Sequence, residues 1–160
     1  MRNSDLFPLY LVFAWELLGF VALAFLESAV EGPNGGGAAT FGWKKSLLGY
    51  EVREYHFWLW YVVVPIFVFS PIVVTGPDLI VFATLASAYL LGGPLEDFAY
   101  FVVNRNFGVR KWNSRVGTWM PWYKAGRVEI PRFYVRNFLV VVLVWVVVYL
   151  LGGHETPPTL

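Results

Sequence analysis

The chain has 160 residues, 58% of them hydrophobic and 14% charged, with a mean hydropathy of +0.56. Soluble domains run at roughly 45–50% apolar and about 25% charged, so this balance points to a membrane. It excludes disorder, the absence of cysteine excludes disulfide scaffolds and thiolate chemistry, and a net charge of +1 gives no footprint for nucleic acid.

Crossing a bilayer as a helix takes about 20 mostly apolar residues. Four stretches meet this, at about 6–28, 55–75, 79–103 and 133–151. The expected fold is therefore all-α: one integral membrane domain, 1–160, with four transmembrane helices in a bundle. The first run contains Glu16 and is preceded only by Arg2, which argues against a secretory signal. The second carries Pro65 and Pro71, and the fourth is rich in Val.

Eleven of the twelve Lys and Arg fall in the segments 29–54 and 104–136. The positive-inside rule puts these basic loops in the cytoplasm and both termini outside. Residues 31–40 read as a flexible Gly-rich linker without phosphate-loop spacing. The loop 104–132 mixes Trp112, Trp119, Trp122 and Tyr123 with seven basic residues, which suits the headgroup layer.

Polar chemistry has few places to sit. Glu16 lies near the middle of the first span, where an ionised carboxylate costs at least about 2.5 kcal/mol. It must be protonated, paired or facing a polar cavity. Glu27 follows eleven residues later, and eleven steps of about 100° return the chain to nearly the same face. The two define either a polar track or one buried acid and one solvated acid.

The segment Gly92-Gly93-Pro94-Leu95-Glu96-Asp97 is the most informative. Two glycines weaken a helix and proline removes a donor, so the third helix is expected to break there and restart at Pro94. Glu96 and Asp97 then sit in a new first turn, with Tyr100 and Asn104 following on much the same face. His56 and Trp58 begin the second span on the same membrane side and complete the expected cavity. Glu27, Glu54, His56, Glu96 and Asp97 are the residues from which a metal site would be drawn, although no Glu-x-x-His or His-x-x-x-His is present. Arg132 and Arg136, four apart, read as interfacial anchors.

Pro94-Leu95-Glu96-Asp97-Phe98-Ala99-Tyr100-Phe101 resembles the Pro-x-Glu-Glu/Asp motif, followed by aromatics, of the small membrane lycopene cyclases of the heterodimeric type. Gly42-Trp43 and Gly49-Tyr50 look similar to that family's Gly-x-Trp-like element. The resemblance implies acid-catalysed cyclisation or isomerisation of a carotenoid or other isoprenoid. Glu96 or Asp97 would protonate a double bond. Independently of the resemblance, Glu16 is a further candidate acid from its place in the first span.

Three expectations follow. One is acid/base chemistry on an isoprenoid or other membrane lipid. The second is a metal- or proton-binding membrane protein. The third is a non-catalytic subunit of a homo-oligomer or larger membrane complex. The sequence does not identify a cofactor or settle metal content.

Overall fold

Each of the four apolar runs becomes a helix long and apolar enough to cross a membrane. The computed structural model describes residues 3–33, 35, 42–47 and 50–152. Arg2, Gly49, most of the 31–40 linker and His154 lie outside them. Helix α1 spans Asn3–Glu31 and α2 spans Glu54–Thr75. Helix α3 spans Leu79–Val103 and α4 spans Arg132–Gly152. The chain is a multi-pass membrane protein built as an all-α bundle.

Helix α3 is the centre. Of its hydrophobic window 44% is buried inside the protein, against 11%, 6% and 11% for α1, α2 and α4. The others therefore present most of their apolar surface outward, as helices facing lipid do. The buried face of α3 is largely small: Ala83, Thr84, Ser87, Ala88, Gly92 and Ala99. Small residues let helices approach closely where no hydrophobic effect drives them together. At Gly92 the ring of Phe20 from α1 lies so near that a Cβ would overlap it. Phe20 also stacks on Trp60 of α2, with centroids 6.0 Å apart. Asp78 caps the helix, its carboxylate accepting from the N–H groups of Ile80 and Val81, both at 2.9 Å.

The expected break at Gly92-Gly93-Pro94 does not occur, because α3 is one continuous helix through Pro94. Proline has no N–H, so the carbonyl of Leu90, four residues earlier, loses its helical partner. Asn137 of α4 supplies the replacement: its Nδ2 donates to the Leu90 carbonyl at 2.9 Å. Ser87 adds a second tie between α3 and α4, accepting from the Trp145 indole at 3.0 Å.

Helix α2 is less regular than the sequence reading assumes. It runs as an α-helical turn (Glu54–Trp58), a π-helical segment (Leu59–Val63) and two further α segments (Val64–Val68 and Ser70–Thr75). Prolines account for this. The Val64 N–H goes to the Leu59 carbonyl, and the next N–H in that register would belong to Pro65. The Trp60 carbonyl is thereby freed, and Tyr89 of α3 donates its hydroxyl to it at 2.5 Å. Pro71 likewise frees the Phe67 carbonyl, which accepts from Ser70 Oγ at 2.7 Å.

The two basic loops carry antiparallel hairpins not expected from the sequence. Strands β1 (Lys44–Leu47) and β2 (Tyr50–Arg53) form one. Strands β3 (Trp122–Ala125) and β4 (Val128–Pro131) form the other. Gly126, at φ 61°, supplies the left-handed residue that the two-residue β3–β4 turn needs. The loop 104–131 is also packed rather than only an interfacial anchor. Trp122 is buried and its indole N–H donates to the Gly117 carbonyl at 2.7 Å.

Replacing Asn137 with Ala should cost about 1–3 kcal/mol, the penalty for stranding a buried acceptor. In a Pro94→Ala background the Leu90 carbonyl regains a backbone donor, so the same Asn137→Ala change should cost clearly less. Reversible unfolding of the four proteins in mixed micelles measures both numbers.

Candidate functional site

Glu96 and Asp97 are adjacent in sequence, and successive residues on a helix point about 100° apart. The structure uses that rotation to send them to different neighbours. Glu96 turns toward α1 and reaches Glu27 within side-chain hydrogen-bonding range. Asp97 turns toward α4, where Tyr134 donates its hydroxyl to Asp97 Oδ2 at 2.7 Å. The indole of Trp112 closes over that contact, its ring centroid 6.0 Å from that of Tyr134.

Glu96 is 2% exposed and Glu27 is 7% exposed. Each is a carboxyl group almost wholly removed from water. Around them stand Glu31, one turn beyond Glu27 on α1, and His56 in the first turns of α2. His56 Nε2 lies 3.7 Å from Glu27 Oε1 and 3.5 Å from Glu31 Oε1. Oxygens of Glu27, Glu31 and Glu96 and the Tyr55 hydroxyl are buried without a hydrogen-bond donor or acceptor assigned to them. Buried polar atoms normally have partners, so such a concentration singles out this end of the bundle as the candidate site. Among the described residues no Lys or Arg lies within ion-pair distance of Glu27, Glu31, Glu96 or Asp97.

The other expected site residues divide. Tyr100 and Asn104 are buried and joined, Asn104 Nδ2 lying 3.3 Å from the Tyr100 hydroxyl. Asn104 is mainly structural. Its Oδ1 accepts from the N–H groups of Asn106 and Phe107, and its Nδ2 donates to the Gly32 carbonyl at 3.1 Å. It thus ends α3 and ties that end to the end of α1. Trp58 is 52% exposed on the outer surface and does not join the cluster. Glu16 stays apart: eleven residues of helix separate it from Glu27, about 16 Å. It is only partly buried, and no hydrogen bond or ion pair among the described residues involves it.

The five residues considered as metal ligands do not converge. Glu54 is occupied elsewhere, accepting from the Trp43 N–H at 3.1 Å and packing against Gly42. Asp97 is held by Tyr134. Among the described residues no group of three or more His, Asp or Glu is arranged to hold a metal ion. Arg132 and Arg136 do not neutralise the acids either. Arg132 lies over the Tyr123 ring at 5.1 Å, and Arg136 donates to Asn137 Oδ1.

Sequence reasoning missed Glu31, Tyr55, Trp60 and Tyr134. Glu27 and Glu31 are spaced i, i+4, a signal that places them on one face and was available. Tyr55, Trp60 and Tyr134 carry no such pattern among 31 aromatic residues (14 Phe, 9 Tyr and 8 Trp), and only the packing singles them out.

A cleft of about 430 Å3 lies elsewhere, between the β1–β2 hairpin and the loop 104–121. Lys44, Lys45, Arg53, Thr118 and Trp119 are among its walls. Glu51 lies within it and Arg53 Nε donates to it at 2.8 Å, which holds the Glu51 carboxyl below its ordinary range.

No family model, curated protein or solved structure matches the chain. The cyclase resemblance therefore rests on the residues already quoted.

The loop 104–131 should be acid-sensitive. The Ser114 N–H donates to Glu129 at 2.6 Å and holds that carboxyl below its ordinary range. A lowered native pKa stabilises above the unfolded value and is lost as pH falls through the native one. Protection of the 113–131 amides from exchange, corrected for the intrinsic rate, should fall as pH drops below the ordinary glutamate value of about 4.3, and Glu129→Gln should flatten that dependence.

Proposed function

We propose that this membrane protein performs acid/base chemistry through the Glu27–Glu96 carboxyl pair, which holds and transfers a proton. The observation that carries this reading is the pair itself: two buried carboxyls in contact, with no cation among the described residues to separate them. If both were ionised, their repulsion at about 4 Å and an effective dielectric of about 20 would be about 4 kcal/mol. Several further kcal/mol per ion would go to desolvation. One shared proton removes most of both costs, as in other carboxyl pairs that occupy one site. Asp97, bonded to Tyr134, fixes the adjoining face of α3 against α4 rather than donating.

A proton is favoured over a metal ion because the ligands needed for a metal do not converge. In the orientation expected from the basic loops, the pair would lie near the cytoplasmic ends of α1 and α3. Proton exchange would then run to the cytoplasm.

A second reading is favoured by the rings around the acids. Tyr55, Trp60 and Tyr100 neighbour the pair, and aromatic faces stabilise cations. That arrangement suits protonation of an isoprenoid double bond by Glu96, the chemistry that the cyclase resemblance implies. Glu96 is nearly inaccessible as it stands, so such a substrate would have to part α1 from α3. The proton-holding reading needs no such motion.

Infrared spectroscopy of the protein in lipid at neutral pH tests the proposal. A carbonyl band of a buried carboxylic acid is expected, shifting in D2O and lost or strongly reduced in Glu96→Gln. Only ionised carboxylate bands in the wild type would refute it. If the band moves when a polyisoprenoid is added, the second reading gains; if it is indifferent, the proton-holding reading stands alone.

A further inference from the structure

The acid pair is sealed from water, yet a proton site must be filled and emptied. Three titratable groups stand beside it at this end of the bundle: Glu31, Tyr55 and His56. Their exposure differs in a way that assigns roles. The His56 side chain is 32% exposed, whereas the side chains of Glu27 and Glu31 are 10% and 9% exposed. His56 also lies three residues beyond the end of β2, at the start of α2, where the chain enters the apolar layer. It is exposed on one side, next to the β1–β2 hairpin, and faces two buried carboxyls on the other.

We infer that His56 is the proton relay between the aqueous surface and the Glu27–Glu96 pair. The inference rests on the acid-pair reading above and names the route by which that pair exchanges its proton. His56 Nε2 is 3.5 Å from Glu31 Oε1 and 3.7 Å from Glu27 Oε1. The usual limit for a hydrogen bond to nitrogen is about 3.2 Å. A small rotation of either side chain closes the remaining gap, and unliganded sites commonly show such loose contacts. The step balances with one proton. The ring's other nitrogen takes a proton from hydronium, which leaves as water, as Nε2 gives its own to an ionised oxygen of Glu27. Glu27 then passes a proton to Glu96, and imidazole resets by exchanging tautomers with water. Histidine suits the task because its ordinary pKa lies near neutrality and its two nitrogens act in sequence.

The charged and titratable groups facing His56 are few. Glu27 and Glu31 face it from α1, with Glu96 of α3 behind Glu27. Arg53 stands on its own side of the chain. The Tyr55 ring meets it edge-on at 5.2 Å. Tyr55 offers no comparable path, because its hydroxyl is buried without a partner.

The test measures how fast the carboxylic-acid carbonyl band shifts after the protein in lipid is mixed with D2O. His56→Ala should leave the size of the band unchanged and slow its shift at least tenfold. Imidazole in the buffer should restore the rate, and His56→Gln, which keeps most of the volume, should be as slow as Ala. A shift as fast in both variants as in the wild type would overturn the relay while leaving the acid pair intact. Slow exchange that imidazole fails to restore would mean that His56 acts only by packing, and would overturn it too. Absence of the band from the wild type would remove both the relay and the pair.

Discussion

A helix inside a bilayer must satisfy its own backbone, because no water is there to do it. Prolines inside α2 and α3 break that rule three times. Each breach is answered by a side chain. Asn137 answers for Pro94, Tyr89 for Pro65, and Ser70 for Pro71. Two of those answers cross between helices, so the repairs also set which helices meet. Asn137 fixes α4 against α3 at Leu90, and Tyr89 fixes α3 against α2 at Trp60. The bundle is held by the need to repair its helices as well as by packing.

The candidate site depends on that arrangement. Because α3 continues through Pro94 without a break, Glu96 and Asp97 stay in its helical register and face different neighbours. A broken helix would allow both acids to turn into one cavity as a pair. In the continuous helix the carboxyl pair forms between helices, Glu27 with Glu96, while Asp97 serves the contact with Tyr134. Gly92 contributes by its lack of a side chain, since Phe20 occupies the space and draws α1 to α3 one turn before the acids. Close approach of α1 and α3 is what leaves Glu27 and Glu96 in contact and out of water.

The sequence made the membrane-spanning helices legible, because hydropathy and length are local properties. All four spans lie within a few residues of their expected limits, and Glu27, Glu96 and His56 were identifiable as polar groups at one end of the bundle. What could not be read there was non-local. Whether Pro94 breaks its helix depends on a residue 43 positions further along, Asn137. Whether Glu96 pairs with Asp97 or with Glu27 depends on continuity of that helix. Trp58, expected in the cavity, faces outward, while Trp60, two residues and about 200° further round the helix, meets Phe20. The β3–β4 hairpin had a local signal in Gly126, but four-residue strands such as Trp122–Ala125 are too short to show alternation against a loop background.

The central claim is a contact between two carboxyl groups, and solid-state NMR can observe it. The protein would carry 13C at the glutamate carboxyls and be held in lipid bilayers, with Glu27→Gln and Glu96→Gln used to assign the signals. The account predicts a through-space cross-peak between the side-chain carbons of Glu27 and Glu96, lost in either variant. Two separate signals without a cross-peak, each at the position of a hydrated carboxylate, would contradict it.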